Sequence, residues 1–424
     1  MRYHIKVKIK KSKVKTTSKK LKVKRQKIKF KKMDNIISKK VQELQPSGIR
    51  VFFDLVLGMK DVISLGVGEP DFVTPWNIRE AGIFSLEQGY TSYTSNKGLM
   101  KLRMQVSRFL KNRYGLEYDP DDEILITVGV SEALDLAARS LLNPGDKVLI
   151  PEPYYVSYPA VVSLSGGNPV CISTANNNFK LKPSDIEKNC DKKTKAIIFN
   201  YPSNPTGVSY TKKELMELGK VILKHKLFLI TDEVYDELTN DFRHTPFVSL
   251  PGIKSSALYL NGFSKAYAMT GFRVGYACGP KEIIAAMTKI HQYTIMCVSI
   301  TSQLASCEAL VAGKKSVDQM RREYKRRREF VVSRLNKIGL KCVRPQGAFY
   351  AFPSIKNTGL TSMEFSQKLL EEQKVAVVPG TAFGSSAEGY VRMSYASSFD
   401  NLKEAMSRIE VFLKKQMSVS LFAG

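Results

Sequence analysis

Past residue 120 the chain repeats one arrangement: a short apolar run, a turn, and then a helical pattern. Ile124–Val128, Val148–Ile150, Ala196–Phe199, Leu227–Ile230 and Leu258–Leu260 read as buried strands. Helix-like stretches such as Ser131–Leu142 and Lys212–His225 lie between several of them. Strand and helix alternating at this length predict an α/β fold with a mostly parallel sheet flanked by helices. Near the other end, Asp400–Lys415 sets Leu402, Ala405, Met406, Ile409, Phe412 and Leu413 on one face of an amphipathic helix. The segments 33–60 and 300–424 are richer in charged helical patterns, Arg321–Arg328 above all. They are expected to form a smaller α+β domain beside a large domain of residues 61–299.

Charge does not change that division, because most of it is local. Residues 1–32 hold 16 Lys or Arg and no acid, against a net charge of +27 for all 424 residues. The rest of the chain is left with +11. Like charges in a block repel and stay solvated, so residues 1–32 read as a disordered basic tail. Two sharper readings stand beside that one: an arm that lies on nucleic acid or an anionic membrane, and a transit peptide, although Lys rather than Arg dominates. No run of about 18 apolar residues would make a membrane span. Cys171, Cys190, Cys278, Cys297, Cys307 and Cys342 are spread out without a C-x-x-C pair. That spacing argues against structural zinc and a disulfide framework, and predicts a reducing, cytoplasmic setting. The four histidines show no metal-ligand spacing, so no metal is expected.

The informative residues follow the strands. Ile124–Val128 runs into Gly129-Val130-Ser131, and Ala196–Phe199 into a turn from Asn200 to Gly207. Leu227–Ile230 leads to Asp232-Glu233-Val234-Tyr235, and Leu258–Leu260 to Ser264-Lys265. In open parallel sheets ligands sit beyond the carboxyl ends of strands, so a turn, an acid, a tyrosine and a lysine converge on one rim. Taken singly, each has a bland explanation: a surface lysine, a solvated acidic turn, an Asn-Pro turn former. Gly66-Val67-Gly68 is only a fragment of a dinucleotide fingerprint, and neither a phosphate-binding P-loop nor a G-x-S-x-G elbow occurs. Together, the rim residues match the needs of a pyridine aldehyde: a lysine for a Schiff base, an acid for the ring nitrogen, and tyrosine and asparagine for a phenolic oxygen. A helix N-terminus at Gly129–Ser131 with Arg273 would suit a phosphate.

Several motifs, in this order, resemble the class I aminotransferases of the pyridoxal phosphate fold-type I superfamily, aspartate and alanine aminotransferase-like. They are Gly68-Glu69-Pro70-Asp71-Phe72, Tyr93, Pro202-Ser203-Asn204-Pro205-Thr206-Gly207 and Asp232-Glu233-Val234-Tyr235. Ser264-Lys265 through Gly275 and Val391-Arg392-Met393-Ser394-Tyr395 complete the set, and the likeness spans about Met33 to Lys415. The lysine segment and the Asn-Pro-Thr-Gly turn are the specific pieces.

The resemblance implies pyridoxal 5'-phosphate as cofactor and ping-pong transfer of an amino group between an L-amino acid and a 2-oxo acid. It makes Lys265 the Schiff-base and proton-shuttling residue, Asp232 the partner of the ring nitrogen, and Tyr235 and Asn204 those of the ring hydroxyl. Tyr155 would stack on the ring, a tyrosine where the family has another aromatic. Ser264, Arg273 and the amides near Val130 and Ser131 would hold the phosphate. Tyr93 would reach it from the neighbouring subunit of a homodimer. Arg392, with Gly68 and Asn204, would bind the substrate carboxylate. Some relatives carry a lysine at the Ser131 position that reads a distal carboxylate, so strict aspartate specificity is not expected. The same machinery also serves carbon–sulfur lyases, and nucleic-acid binding through the basic tail is a rival of a different class.

Overall fold

The structure, a computed structural model, describes residues 36–44, 48 and 59–422, with side chains to 416. The basic tail and most of 33–60 lie outside the described residues. Two compact units are separated, 1–43 and 44–424. In the first, the described residues 36–43 hold one short helix, α1 (Lys39–Glu43). All else concerns the second.

Its chain begins with β1 (Ile63–Ser64), α2 (Trp76–Glu87), α3 (Met100–Tyr114) and β2 (Ile124–Thr127). There follow α4 (Gly129–Leu141), β3 (Lys147–Glu152), α5 (Ser157–Leu164), β4 (Asn168–Ser173), α6 (Pro183–Asn189) and β5 (Thr194–Asn200). Next come α7 (Lys212–Lys224), β6 (Phe228–Asp232), β7 (Ala257–Gly262), β8 (Gly275–Cys278) and α8 (Lys281–Thr294). A seven-stranded sheet has the order β2-β8-β7-β6-β5-β3-β4, parallel except that β8 runs against both its neighbours. The expected strands and α/β class are all present. Two further strands, β4 and β8, were not legible in the sequence, because β4 is a half-exposed edge and β8 reads Gly-Tyr-Ala-Cys.

Side-chain alternation builds a core on each face of this sheet. Ile124, Ile126, Ile197, Phe199 and Tyr259 point to one side, where they meet Leu102, Val106, Leu215 and Leu218 of α3 and α7. Leu125, Ala196, Ile198, Leu258 and Leu260 point to the other, against Leu134 and Leu136 of α4, Tyr158 of α5 and Ile284 of α8. Helix α7 begins where Thr211 caps Glu214 N and the Glu214 carboxylate returns the bond to Thr211 N at 2.7 Å.

The remaining elements are α9 (Ile300–Ala312), α10 (Lys314–Lys337), β9 (Tyr350–Ala351), α11 (Ser362–Gln373), β10 (Val375–Ala376), β11 (Val378–Pro379), β12 (Val391–Ser394) and α12 (Phe399–Phe422). Ala305 and Ala309 of α9 join the first core. From Met320 onward, buried residues form a separate cluster: Tyr324, Val331, Phe365, Leu369 and the α12 face Leu402 to Leu413. A small antiparallel sheet, β11-β12-β9, and a parallel pair, β1-β10, complete it. Leu65 bridges the two, donating to Ala376 O and accepting from Ser394 N at 2.6 Å. That bridge brings the loop after β1 to the small sheet.

Candidate active site

Strand register brings the rim residues to one level. Asn200 of β5 pairs with Asp232 of β6, and Asp232 with Leu260 of β7. Gly262 of β7 pairs with Gly275 of β8, and Gly275 with Thr127 of β2. Beyond these ends lies a cavity of about 870 Å³, closed from the far side by Gly68, Tyr350 of β9 and Arg392 of β12. Of the residues singled out in the sequence, Gly68, Val130, Ser131, Tyr155, Asn204, Asp232, Tyr235, Ser264, Lys265, Arg273 and Arg392 line it. Tyr93 is 82% exposed and does not line this cavity. Tyr154, next to Tyr155, faces a different crevice.

At the floor, Lys265 Nζ donates to Gly68 O at 2.7 Å. Burial, reinforced by the nearby Arg392 charge, brings its ammonium down to about 8, so much of it is free amine in mildly alkaline solution. Asp232 is 5% exposed, and burial pushes its carboxyl up to about 6. Tyr158 Oη donates to Asp232 Oδ2 at 2.8 Å and Val234 N to Oδ1 at 3.3 Å, which fix the carboxylate without neutralising it.

Arg392 is 1% exposed. Its guanidinium donates to Asn204 Oδ1 at 2.8 Å and Gly66 O at 2.6 Å, and lies 4.6 Å from the Tyr350 ring centroid and 4.8 Å from that of Phe383. Its Nε has no partner, and no carboxylate among the described residues forms an ion pair with it. A buried cation held only by neutral oxygens and ring faces is an uncompensated charge.

The opposite end is shaped by glycine. Gly129 starts α4 with φ +71°, and a Cβ there would stand 2.7 Å from Arg273 Nη2. At Gly275 a Cβ would come within 2.6 Å of Gly129 C and Val130 N. The helix N-terminus can therefore press against β8 with Arg273 beside it, combining unpaired backbone N–H groups with a guanidinium.

Tyr158, Asn200 and Tyr350 belong to the site without having been assigned a role from sequence. Tyr158 stands three residues after Tyr155 on α5, a spacing that could have flagged it; their rings meet edge to face at 5.6 Å. Asn200 Oδ1 accepts from Asn204 N at 3.0 Å and orients the turn. Tyr350 Oη lies 2.9 Å from Tyr235 Oη and donates to Gly68 O at 3.3 Å. Only the tertiary fold brings it there.

Residues 60–409 match the family described as aminotransferase class I and II. The chain belongs to this family. YugH of Bacillus subtilis is 53% identical over 384 residues, covering 90% of this chain and all of that one. The aspartate aminotransferase of Pyrococcus abyssi is 45% identical, over 90% and 99%. The solved aromatic aminotransferase of Pyrococcus horikoshii OT3 superposes with a TM-score of 0.83 at 44% identity, covering 87% of this chain and 99% of that one. The protein is a pyridoxal phosphate-dependent aminotransferase acting on amino acids and 2-oxo acids. No helix among the described residues is long and apolar enough to cross a membrane.

The cavity's own chemistry fits that cofactor: a helix N-terminus with Arg273 for a dianion, a fixed buried carboxylate for a cationic ring nitrogen, and a lysine of lowered basicity between them.

Proposed function

We propose that this aminotransferase takes its amino group from an L-amino acid with an uncharged side chain, in two half-reactions of ping-pong order, as a homodimer. The observation that carries the role of the site is Arg392: buried, oriented by Asn204 and Gly66, and without a carboxylate of its own. A substrate α-carboxylate supplies the missing charge and can be held bidentately.

The roles follow from the donor set. Arg273, Ser264 and the amides of Val130 and Ser131 would hold the cofactor phosphate; Asp232 would face the ring nitrogen, Tyr235 and Asn204 the ring hydroxyl, and Tyr155 the ring face. When bound, pyridoxal phosphate supplies an aldehyde carbon for the amino group and a ring that delocalises the electron pair left at Cα. Lys265 Nζ accepts the Cα proton and returns it, a task suited to an amine whose basicity burial has lowered to about 8. Tyr158 and Val234 hold the Asp232 carboxylate in place throughout. Phe383 and Tyr350 cover the faces of Arg392, which keeps water from competing with the carboxylate.

The cations of the cavity bear on substrate choice. Among the described residues only Lys265, Arg273 and Arg392 line the cavity with positive charge, and each already has a task. Ser131, Val67, Leu134 and Tyr155 offer no counter-charge to a distal carboxylate. Relatives of similar identity carry both aspartate and aromatic-amino-acid aminotransferase names, so likeness alone does not decide. The dimer is supported by Trp76, Ile83, Phe84 and Leu86 of α2, together with Tyr293, Ile295 and Met296, all large apolar residues at least 44% exposed. Tyr93 would complete the partner's phosphate site. Six free cysteines favour a cytoplasmic setting. The cofactor-holding domain expected over 61–299 takes α9 with it, because Ala305 and Ala309 pack in its core, so we assign the smaller domain the elements from Met320 onward; residues 33–43 fall in the other unit.

One panel of steady-state rates tests the reading, with aspartate, alanine, leucine and phenylalanine as donors, on the wild type and Lys265→Ala. Aromatic and aliphatic donors are expected to outpace aspartate, with no turnover by the variant. A dominant preference for aspartate would remove the substrate assignment, and turnover by Lys265→Ala would remove the catalytic one.

A further inference from the structure

A second cavity, of about 500 Å³, lies between the loop 239–244, the end of α3 and the first half of α10, and shares no residue with the active site. Five cations line it: Arg113, Arg243, Arg321, Arg322 and Lys325. Arg113 is paired with Glu237 at 2.6 Å and Arg321 with Asp318 at 3.1 Å. Arg243 donates to the Arg113 carbonyl. Neither it, Arg322 nor Lys325 forms an ion pair among the described residues. The two acids in the lining are already engaged. Asp241 takes both arms of Arg328 at 2.7 and 2.8 Å, and Asp236 accepts the hydroxyls of Tyr114 and Tyr259 at 2.8 and 3.2 Å.

Buried polar atoms at the same place make a second, independent observation. Thr239, Asn240 and His244 are each at least 95% buried and line this cavity. Thr239 Oγ1, Asn240 Oδ1 and His244 Nδ1 have no hydrogen-bond partner. Each such atom costs about 1–3 kcal/mol when left unmet, so this wall is built to hold polar occupants, water among them. Asn240 Oδ1 accepts hydrogen bonds, as does Nδ1 of a neutral His244 whose Nε2 meets Glu233, so ordered water suits both. The pull on an anion comes from Arg243, Arg322 and Lys325. These exposed cations, without an ion pair among the described residues, face one concave surface and concentrate positive potential there. Guanidinium forks match oxyanions in geometry, and the Thr239 hydroxyl can donate to the same ligand.

We propose that this cavity is a binding site for a small oxyanion carrying two or more negative charges, a phosphate ester or a polycarboxylate. It adjoins the catalytic rim through one bond: His244 Nε2 lies 2.6 Å from Glu233 Oε2, and Glu233 follows Asp232 in the chain.

Calorimetric titration tests the site on the cofactor-loaded enzyme at fixed ionic strength, with inorganic phosphate in one arm and citrate in the other. Arg322 and Lys325 are exposed, so the double variant Arg322→Gln, Lys325→Gln spares the fold. Saturable binding of one anion per chain is expected, weakened at least about tenfold in the double variant. Phosphate binding alone assigns a phosphoryl ligand, citrate alone a polycarboxylate, and both a site that reads charge. Absence of saturable binding in both arms overturns the proposal. So does binding that the double variant leaves unchanged, which would place the anion at Arg392.

Discussion

Replacing Asp232 with asparagine should stabilise the cofactor-free protein while disabling the enzyme. Burial carries this carboxyl from its ordinary 3.8 to about 6. At about 1.4 kcal/mol per pH unit, this sets about 3 kcal/mol against the ionised form at neutral pH. An asparagine carbonyl can still accept from Val234 N, while the Tyr158 hydroxyl turns to accept from the amide. Exchanging a charged acceptor for a neutral pair gives back about 1 kcal/mol, leaving a net gain of about 2 kcal/mol. The sign of the pH dependence follows. Between about 4 and 6 the folded chain keeps a proton that the unfolded chain has released, so wild-type stability falls as pH rises through this window. The variant lacks that dependence. Urea unfolding of both cofactor-free proteins at pH 7 and pH 4 is the assay: the advantage of Asp232→Asn is expected at pH 7 and should vanish by pH 4. With Asp232 facing the ring nitrogen as proposed, the loaded enzyme would offset the wild-type charge, so the same substitution should loosen the cofactor. A variant less stable than wild type at pH 7, or a difference indifferent to pH, would refute the reasoning.

Three other outcomes follow from the geometry. Arg392→Gln should lower kcat/KM for amino acids at least about 30-fold, the loss of a buried charged contact of about 2 kcal/mol or more. It should also erase the preference for an amino acid over the matching amine that lacks a carboxylate; a preserved preference would mean that another group binds the carboxylate. Gly275→Ala drives a Cβ to 2.6 Å from the backbone of Gly129 and Val130. Dialysis should then strip cofactor at least about tenfold faster, and unchanged retention would show that the α4 N-terminus does not hold the phosphate. Coexpressed Tyr93→Ala and Lys265→Ala chains should regain activity that neither has alone, since a hybrid dimer would contain one intact site. No recovery, or a monomer on sedimentation, would return Tyr93 to its own chain.

Much of the sheet was readable because its strands are apolar on both faces, which leaves an unbroken apolar run such as Ala196–Phe199 in β5. Residues at the ends of those runs were readable for the same reason: Asp232, Asn200 and Lys265 follow strands whose register then aligns them. What was hidden obeys a different rule. Strands β1, β9, β10 and β11 are two residues long, too short for any period to show. Tyr350 and Phe383 sit in that part of the chain, and their proximity to Arg392 depends on pairings among such strands. Arg392 itself was reached through a local motif, whereas the fact that makes it informative, burial without an acid, is tertiary.

That fact separates it from the other buried arginines. Arg327 is 6% exposed and takes both oxygens of Asp71 at 2.8 and 2.9 Å; Arg328 is fully buried and takes both of Asp241. Arg103, 5% exposed, donates to the carbonyls of Gly98 and Asp121 at 3.3 and 3.2 Å, and Asp121 Oδ1 lies 4.0 Å away. Each has a carboxylate from its own chain, so its charge is settled when the protein folds. Arg392 alone among these four has none, and it lines the cavity. Asp232 repeats the pattern with the opposite sign, a buried carboxylate held by a hydroxyl and an amide. Had folding stability set these residues, Arg392 and Asp232 would have been neutral or paired, as isosteric apolar replacements of buried charges are often harmless. On the proposed reading their charges are met when a carboxylate and a cationic ring arrive, and both residues line the one cavity.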